Sequence, residues 1–131
     1  KIKNILNTVR DFNDSSIKLF EPIPKKELFN ILLNYRAMLY KGDPGETFCL
    51  SVAEAQALGV PCVVKPIGSL GERVKDKITG IVAIKDEDFF NGAISILKED
   101  KVWMTYRDNS LKFQRDYQWE KIAKIYANLI N

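Results

Sequence analysis

Two carboxylates, Glu46 and Glu54, flank a predicted helix start in the stretch Gly45-Glu46-Thr47-Phe48-Cys49-Leu50-Ser51-Val52-Ala53-Glu54. Glu46 lies in the loop ahead of the helix, and Glu54 about one turn inside it. A helix N-terminus presents unpaired backbone N–H groups and a partial positive charge, and these hold a diphosphate without any basic side chain. Acids aimed at that anion would repel it. Aimed at neighbouring hydroxyls they make charge-assisted hydrogen bonds worth roughly 1.5–3 kcal/mol each. A nucleotide sugar carries hydroxyls on both sides of its diphosphate, on the ribose and on the hexose, and so matches this layout.

The elements around the pair are those of an α/β protein. Ile2, Ile5, Leu6 and Val9 recur at helical spacing, and Ile17–Phe20 reads as a short strand. Pro22 and Pro24 mark a turn, and Lys25–Tyr35 carries Leu28, Ile31 and Leu32 as the inner stripe of a helix. Ala37–Tyr40 is a second strand, and Gly42-Asp43-Pro44-Gly45 a loop. The helix from about Leu50 to Leu58 is stopped by Gly59. Cys62–Lys65 has the short apolar core of a buried parallel strand. A short helix through Val74, a strand at Gly80–Ile84 and a helix carrying Phe89, Phe90, Ala93, Ile94 and Leu97 follow. The last thirty residues form one or two amphipathic helices, with Tyr117 and Trp119 read as core and Ile122, Ala123, Tyr126, Leu129 and Ile130 on the Trp119 face. The alternation predicts a Rossmann-like parallel sheet with helices on both faces, in a single domain over residues 1–131. Ligands of such sheets bind beyond the carboxyl ends of the strands, where the Lys41–Cys49 loop must lie.

In this order the residues resemble the Glu-x₇-Glu signature of retaining GT-B glycosyltransferases, the glycosyl transferases group 1 family. The family pattern reads Glu-Gly-Phe-Gly, an aliphatic residue, then Glu-Ala before a Gly-Val-Pro strand. This chain has Glu46-Thr47-Phe48-Cys49-Leu50, Glu54-Ala55 and Gly59-Val60-Pro61. Ile17–Leu28 is similar to the family's base-contacting strand, turn and helix. Gly68, Glu72 and Gly80-Ile81-Val82 resemble its later loop and strand, and Tyr117-Gln118-Trp119-Glu120 its closing helix. The resemblance implies that Glu46 faces the donor sugar near the reacting centre and that Glu54 binds the ribose hydroxyls. It implies that the backbone of Thr47, Phe48, Cys49, Leu50 and Ser51 lines sugar and diphosphate, with Leu50 and Ile23 against the base. Thr47 and Cys49 depart from the family's paired glycines, and their side chains narrow the space beside the sugar.

Plainer roles stand beside these. Ser51-Val52-Ala53-Glu54 fits a capping box, which the four residues alone favour and the resemblance outweighs. Ser69-Leu70-Gly71-Glu72 fits another, there taken as structural. Glu46 read without its neighbours is a solvent-exposed loop acid, and Phe48 serves equally as a hinge-packing residue or a ligand contact. Asp86-Glu87-Asp88 is read as a helix start complementing the dipole rather than a metal site. The chain has no histidine, Gly-x-Gly-x-x-Gly or Walker-type Gly-Lys-Ser/Thr, so dinucleotide and P-loop classes lack support. No metal and no cofactor is expected, the nucleotide sugar being a substrate.

Bulk composition agrees with a folded, water-facing domain. Of 131 residues, 46% are hydrophobic and 28% charged, and the net charge of +3 is too mild and too dispersed for a nucleic-acid partner. Cys49 and Cys62 sit in apolar contexts and read as buried, reduced thiols. No apolar stretch approaches a membrane span and no signal peptide is evident, which predicts a cytoplasmic protein. Peripheral contact with a membrane surface is compatible with the resemblance, since many similar enzymes act on lipid-linked acceptors.

Similar enzymes have two Rossmann-like domains, with the acceptor bound mainly by the N-terminal one. Their C-terminal domain begins with two strands, the first carrying an Arg and a Lys for the diphosphate, ahead of the helix that Lys1–Arg10 resembles. The chain shows neither strand and begins with Lys1 rather than Met, so an upstream segment and an N-terminal domain are expected. In the family's strand order the two would lie between Ile17–Phe20 and Ala37–Tyr40. The acceptor, a glycan or lipid-linked molecule, is not specified. Two other classes fit the sequence: a non-catalytic or degenerate nucleotide-sugar-binding domain, separated by a turnover assay, and a structural interaction module, which predicts no response to nucleotide sugars.

Overall fold

Parallel strands short enough to be covered from end to end need helices on both faces, and the apolar runs of this chain supply them. The computed structural model describes residues 7–9, 11 and 14–130. Ile2, Ile5 and Leu6 of the predicted first helix lie outside the described residues, whereas residues 7–9 and 11 are helical. The elements that follow are α1 (Lys25–Leu32), β1 (Met38–Tyr40), α2 (Leu50–Ala57), β2 (Cys62–Val64), α3 (Leu70–Arg73) and β3 (Gly80–Val82). The chain then runs through α4 (Asp86–Lys98), α5 (Asp100–Gln114), a 3₁₀ turn (Arg115–Tyr117) and α6 (Trp119–Ile130).

The three strands form one parallel sheet in the order β1-β2-β3. Register pairs Met38 with Cys62 and Tyr40 with Val64 on one side of β2, and Cys62 with Gly80 and Val64 with Val82 on the other. Strand alternation sends Cys62 and Val64 to one face of β2 and Val63 to the opposite face. Cys62 and Val64 join Cys49, Val52, Ala55, Val60, Leu70 and Val74 in one core cluster. Val63 joins Ala83, Phe89, Ala93 and Ile96 in a second, with Trp103 and Tyr106 packed against it. Both faces of β2 are therefore dry, as the continuous Cys-Val-Val run requires. Helix α5 packs against both α2 and α4.

Gly59 ends α2 as expected: at φ +75° it takes the left-handed conformation, and its N–H donates to Gln56 O at 3.0 Å. A buried polar network then ties α2 to α5. Gln56 Nε2 donates to Thr79 Oγ1 at 3.0 Å, Gln114 Nε2 donates to Gln56 Oε1 at 2.8 Å, and Ser110 Oγ donates to Thr79 O at 2.9 Å. Gln56, Thr79 and Ser110 are all buried yet paired, so their desolvation is compensated.

Three expectations need correction. Ile17–Phe20 forms no strand: Ile17, Leu19 and Phe20 are exposed, and among the described residues no strand lies beside them to pair their backbone groups. Tyr117 and Trp119 are not core, since Tyr117 is 45% and Trp119 84% exposed. The apolar stripe of α6 faces outward as well, with Tyr126, Leu129 and Ile130 exposed, because among the described residues nothing covers it. The cysteines are as read, both buried and unbridged. Among the described residues no helix is long and apolar enough to cross a membrane.

Candidate functional site

Where β1 ends at Tyr40, the chain crosses the carboxyl edge of the sheet and turns on Asp43. Gly45 N–H donates to Asp43 Oδ1 at 2.8 Å and Glu46 N–H to Asp43 O at 3.0 Å, a turn built by one aspartate. From the loop after β2, Ser69 N–H donates to Glu46 O at 3.0 Å. The peptide of Glu46 is thus held on both sides. Gly68, at φ +57°, lets the two loops nest: a Cβ there would stand 2.5 Å from Glu46 O.

The carboxylate of Glu46 is half-buried and points back to β1, where Tyr40 Oη donates to Oε1 at 3.1 Å. Burial raises the Tyr40 phenol above its ordinary value, and the negative charge of Glu46 raises it further. Tyr40 therefore stays a neutral donor at neutral pH. A hydrogen bond to a charged group, worth roughly 1.5–3 kcal/mol, offsets the ~1.5–2 kcal/mol of rotamer freedom that an ordered glutamate loses.

Cys49 caps α2 in the left-handed conformation, φ 56° and ψ 73°, with no side-chain capping bond. A non-glycine residue there costs about 1–2 kcal/mol. Its side chain is 4% exposed within the first core cluster, with Sγ 3.4 Å from Ser51 Oγ. Phe48 is half-exposed and is held from below by Arg73. The Arg73 guanidinium lies 3.8 Å from the ring centroid, and its Nε donates to Phe48 O at 3.2 Å. The same guanidinium sits 5.3 Å from the Tyr117 ring, linking this loop to the 3₁₀ turn before α6.

Five of the predicted residues, Glu46, Thr47, Phe48, Cys49 and Leu50, line one open hollow of 260 Å³ together with Gly45. Thr47 and Leu50 are exposed there, and Cys49 turns its thiol to the core, so Thr47 is the added side chain that faces outward. Ser51 and Glu54 lie further along α2 and do not line this hollow. Glu54 pairs with Lys25 at the start of α1, Nζ to Oε1 2.5 Å. Ile23 lines a different hollow of 420 Å³, with Phe20, Leu28 and Ile31.

Neither capping box forms. Helix α2 starts two residues earlier than a Ser51 cap requires, and Glu54 reaches Lys25 instead of the Ser51 N–H. Ser69 does precede α3, but in a helical conformation that turns its hydroxyl inward. Among the described residues its buried Oγ has no hydrogen-bond partner, and α3 has no side-chain cap. Asp86, Glu87 and Asp88 do occupy the first turn of α4, as read. Asp86 pairs with Lys65 at 2.5 Å and Lys41 at 3.3 Å, and the two cations hold its carboxyl below the usual range. Among the described residues no three of His, Cys, Asp and Glu gather as metal ligands.

Sequence inspection missed Tyr40, Arg73 and Lys25. Tyr40 had a usable signal, a hydroxyl at the last position of a strand that points at the ligand edge. Arg73 and Lys25 had none, because their partners are 25 and 29 residues away in the chain.

Comparison with known proteins agrees with this architecture. The family described as Glycosyl transferases group 1 matches residues 13–113. An uncharacterized glycosyltransferase of Methanocaldococcus jannaschii is 27% identical over 90 residues, covering 64% of this chain and 26% of that protein. The solved sucrose-phosphate synthase from Thermosynechococcus elongatus superposes with a TM-score of 0.75 at 20% identity, over 98% of this chain and 34% of that one. The chain thus spans about a quarter to a third of these relatives, and its α/β fold matches part of a GT-B glycosyltransferase. With the family match covering most of its length, this chain belongs to the glycosyl transferases group 1 family.

Proposed function

We propose that the chain is the donor-binding part of a longer retaining enzyme. It transfers a hexosyl group from a nucleotide diphosphate sugar to an acceptor hydroxyl without a metal. The observation that carries this is the placement of Glu46. It is fixed at the carboxyl edge of a parallel sheet, beside a hollow formed by the residues that lead into α2. The N–H groups opening α2 face a departing diphosphate and stabilise its charge, the kind of electrostatic assistance that catalysis draws on most. Glu46 orients the sugar and responds to positive charge near the anomeric carbon. Glu54 exchanges its pairing with Lys25 for the ribose hydroxyls, and Ile23 with Leu50 flanks the base. The remaining basic groups for the diphosphate and the acceptor site belong to an upstream segment and an N-terminal domain, placed in the cytoplasm or at its membrane surface.

A second function, nucleotide-sugar binding without turnover, is favoured by Thr47, whose exposed side chain occupies a family glycine position beside the hollow. The two are separated by Glu46→Gln in the complete polypeptide, assayed for release of nucleoside diphosphate from uridine, guanosine and adenosine diphosphate sugars. The enzyme predicts a severe loss of turnover with the fold intact. Turnover unchanged by Glu46→Gln contradicts the role given to Glu46, and no turnover by the unmodified polypeptide selects the binder.

A further inference from the structure

The Glu46 peptide is fixed on both sides, by Asp43 O accepting from its N–H and by Ser69 N–H donating to its carbonyl. Gly68 packs against that carbonyl so closely that a Cβ there would stand 2.5 Å from it. What stays free is the side chain, whose torsions sweep the carboxylate through several staggered positions. Among the described residues one side-chain bond restricts that sweep, from Tyr40 Oη to Oε1 at 3.1 Å. Tyr40 is the last residue of β1, in register with Val64 of the dry central strand.

We propose that Tyr40 is a positioning residue for donor chemistry: it directs the Glu46 carboxylate from the paired end of β1 and leaves Oε2 for the sugar. This rests on the role proposed above for Glu46. Tyr40 suits the task because a tyrosine side chain has few torsions to order and carries its hydroxyl at the tip of a rigid ring. A phenol is protonated throughout the neutral range, and burial together with Glu46 extends that range upward. A phenylalanine fills the same space and lacks only the hydroxyl.

The test compares Tyr40→Phe, Glu46→Gln and the double variant in the complete polypeptide, with release of nucleoside diphosphate from a nucleotide sugar as readout. Tyr40→Phe is expected to lower kcat about 10- to 100-fold, the range of one charge-assisted hydrogen bond, with KM for the donor nearly unchanged. Added to Glu46→Gln it is expected to cost nothing more, because Tyr40 acts through Glu46. A loss of equal size in both backgrounds, or a loss confined to KM, overturns the inference. So does an unchanged kcat in Tyr40→Phe while Glu46→Gln is impaired, and that result leaves the role of Glu46 standing. If Glu46→Gln alone is unimpaired, the role of Glu46 fails first and the inference with it. A readout independent of turnover is the ¹³Cζ resonance of Tyr40, titrated through alkaline pH. Glu46→Gln is expected to bring its midpoint down toward the ordinary tyrosine value, and an unmoved midpoint overturns the inference.

Discussion

Lys25 and Glu54 join the start of α1 to the first turns of α2 through an ion pair of 2.5 Å, and so hold the acid proposed to bind a ribose. Lys25 is 64% exposed and Glu54 22% exposed, so solvent screens the pair, and its net worth is ~0–1 kcal/mol. A donor offering two hydroxyls to Glu54 displaces such a partner at little cost.

Glu54→Ala therefore separates binding from folding. Its unfolding free energy is expected to fall by less than about 1 kcal/mol, as for other exposed pairs. Its affinity for the nucleotide sugar is expected to fall about tenfold or more, from one lost charge-assisted contact. Calorimetric titration beside chemical denaturation checks both, and an unaltered dissociation constant removes Glu54 from the site.

Gly68→Ala tests the nesting of the two loops. Its Cβ would meet the Glu46 carbonyl at 2.5 Å, and φ +57° is itself unfavourable for alanine. We expect a destabilisation of roughly 2 kcal/mol or more in urea unfolding, within the range of strained or overpacked sites. A change below about 0.5 kcal/mol, typical of open surface, would show that the loops move apart freely.

Cys49 poses the opposite case, a side chain in a conformation that glycine prefers. Cys49→Gly relieves about 1–2 kcal/mol of backbone strain and forfeits a buried thiol of comparable worth, so stability is expected to shift by less than about 1 kcal/mol. Cys49→Val adds a β-branch in the same left-handed position and is expected to cost about 2 kcal/mol or more. Similar melting temperatures for the two variants would contradict the strained cap.

Tyr40 and Tyr106 both have phenols raised above their ordinary value, chiefly by burial. The native chain then keeps phenolic protons that the unfolded chain releases, so their contribution is whole below about pH 10. It is lost as pH climbs from there through the folded-state values. The melting temperature of the unmodified chain is expected to fall more steeply above about pH 10 than that of Tyr40→Phe with Tyr106→Phe. Parallel profiles would contradict this.

The strands, helices and the loop Lys41–Cys49 were legible because each rests on local signals: the apolar Cys62–Val64 run, the Gly42–Gly45 turn, the stop at Gly59. Ile17–Phe20 and the outward face of α6 were misread for one reason. Apolar spacing records what a segment is able to bury, and the partner that does the burying lies elsewhere. Tyr117 and Trp119 show this most plainly, both patterned as core and both exposed. At the candidate site, the order of Glu46, Glu54 and Gly59-Val60-Pro61 was readable, whereas the contacts of Tyr40, Lys25 and Arg73 come from loop geometry. The capping box at Ser51 was outcompeted because Cys49 turns the chain into α2 before Ser51 is reached.

The most direct test of donor recognition is a thermal-shift series on the complete polypeptide with uridine, guanosine and adenosine diphosphate sugars. One of them is expected to raise the melting temperature in the unmodified protein and to lose that effect in Glu54→Ala. No shift with any of the three, in a protein that melts cooperatively, would contradict donor recognition by this chain.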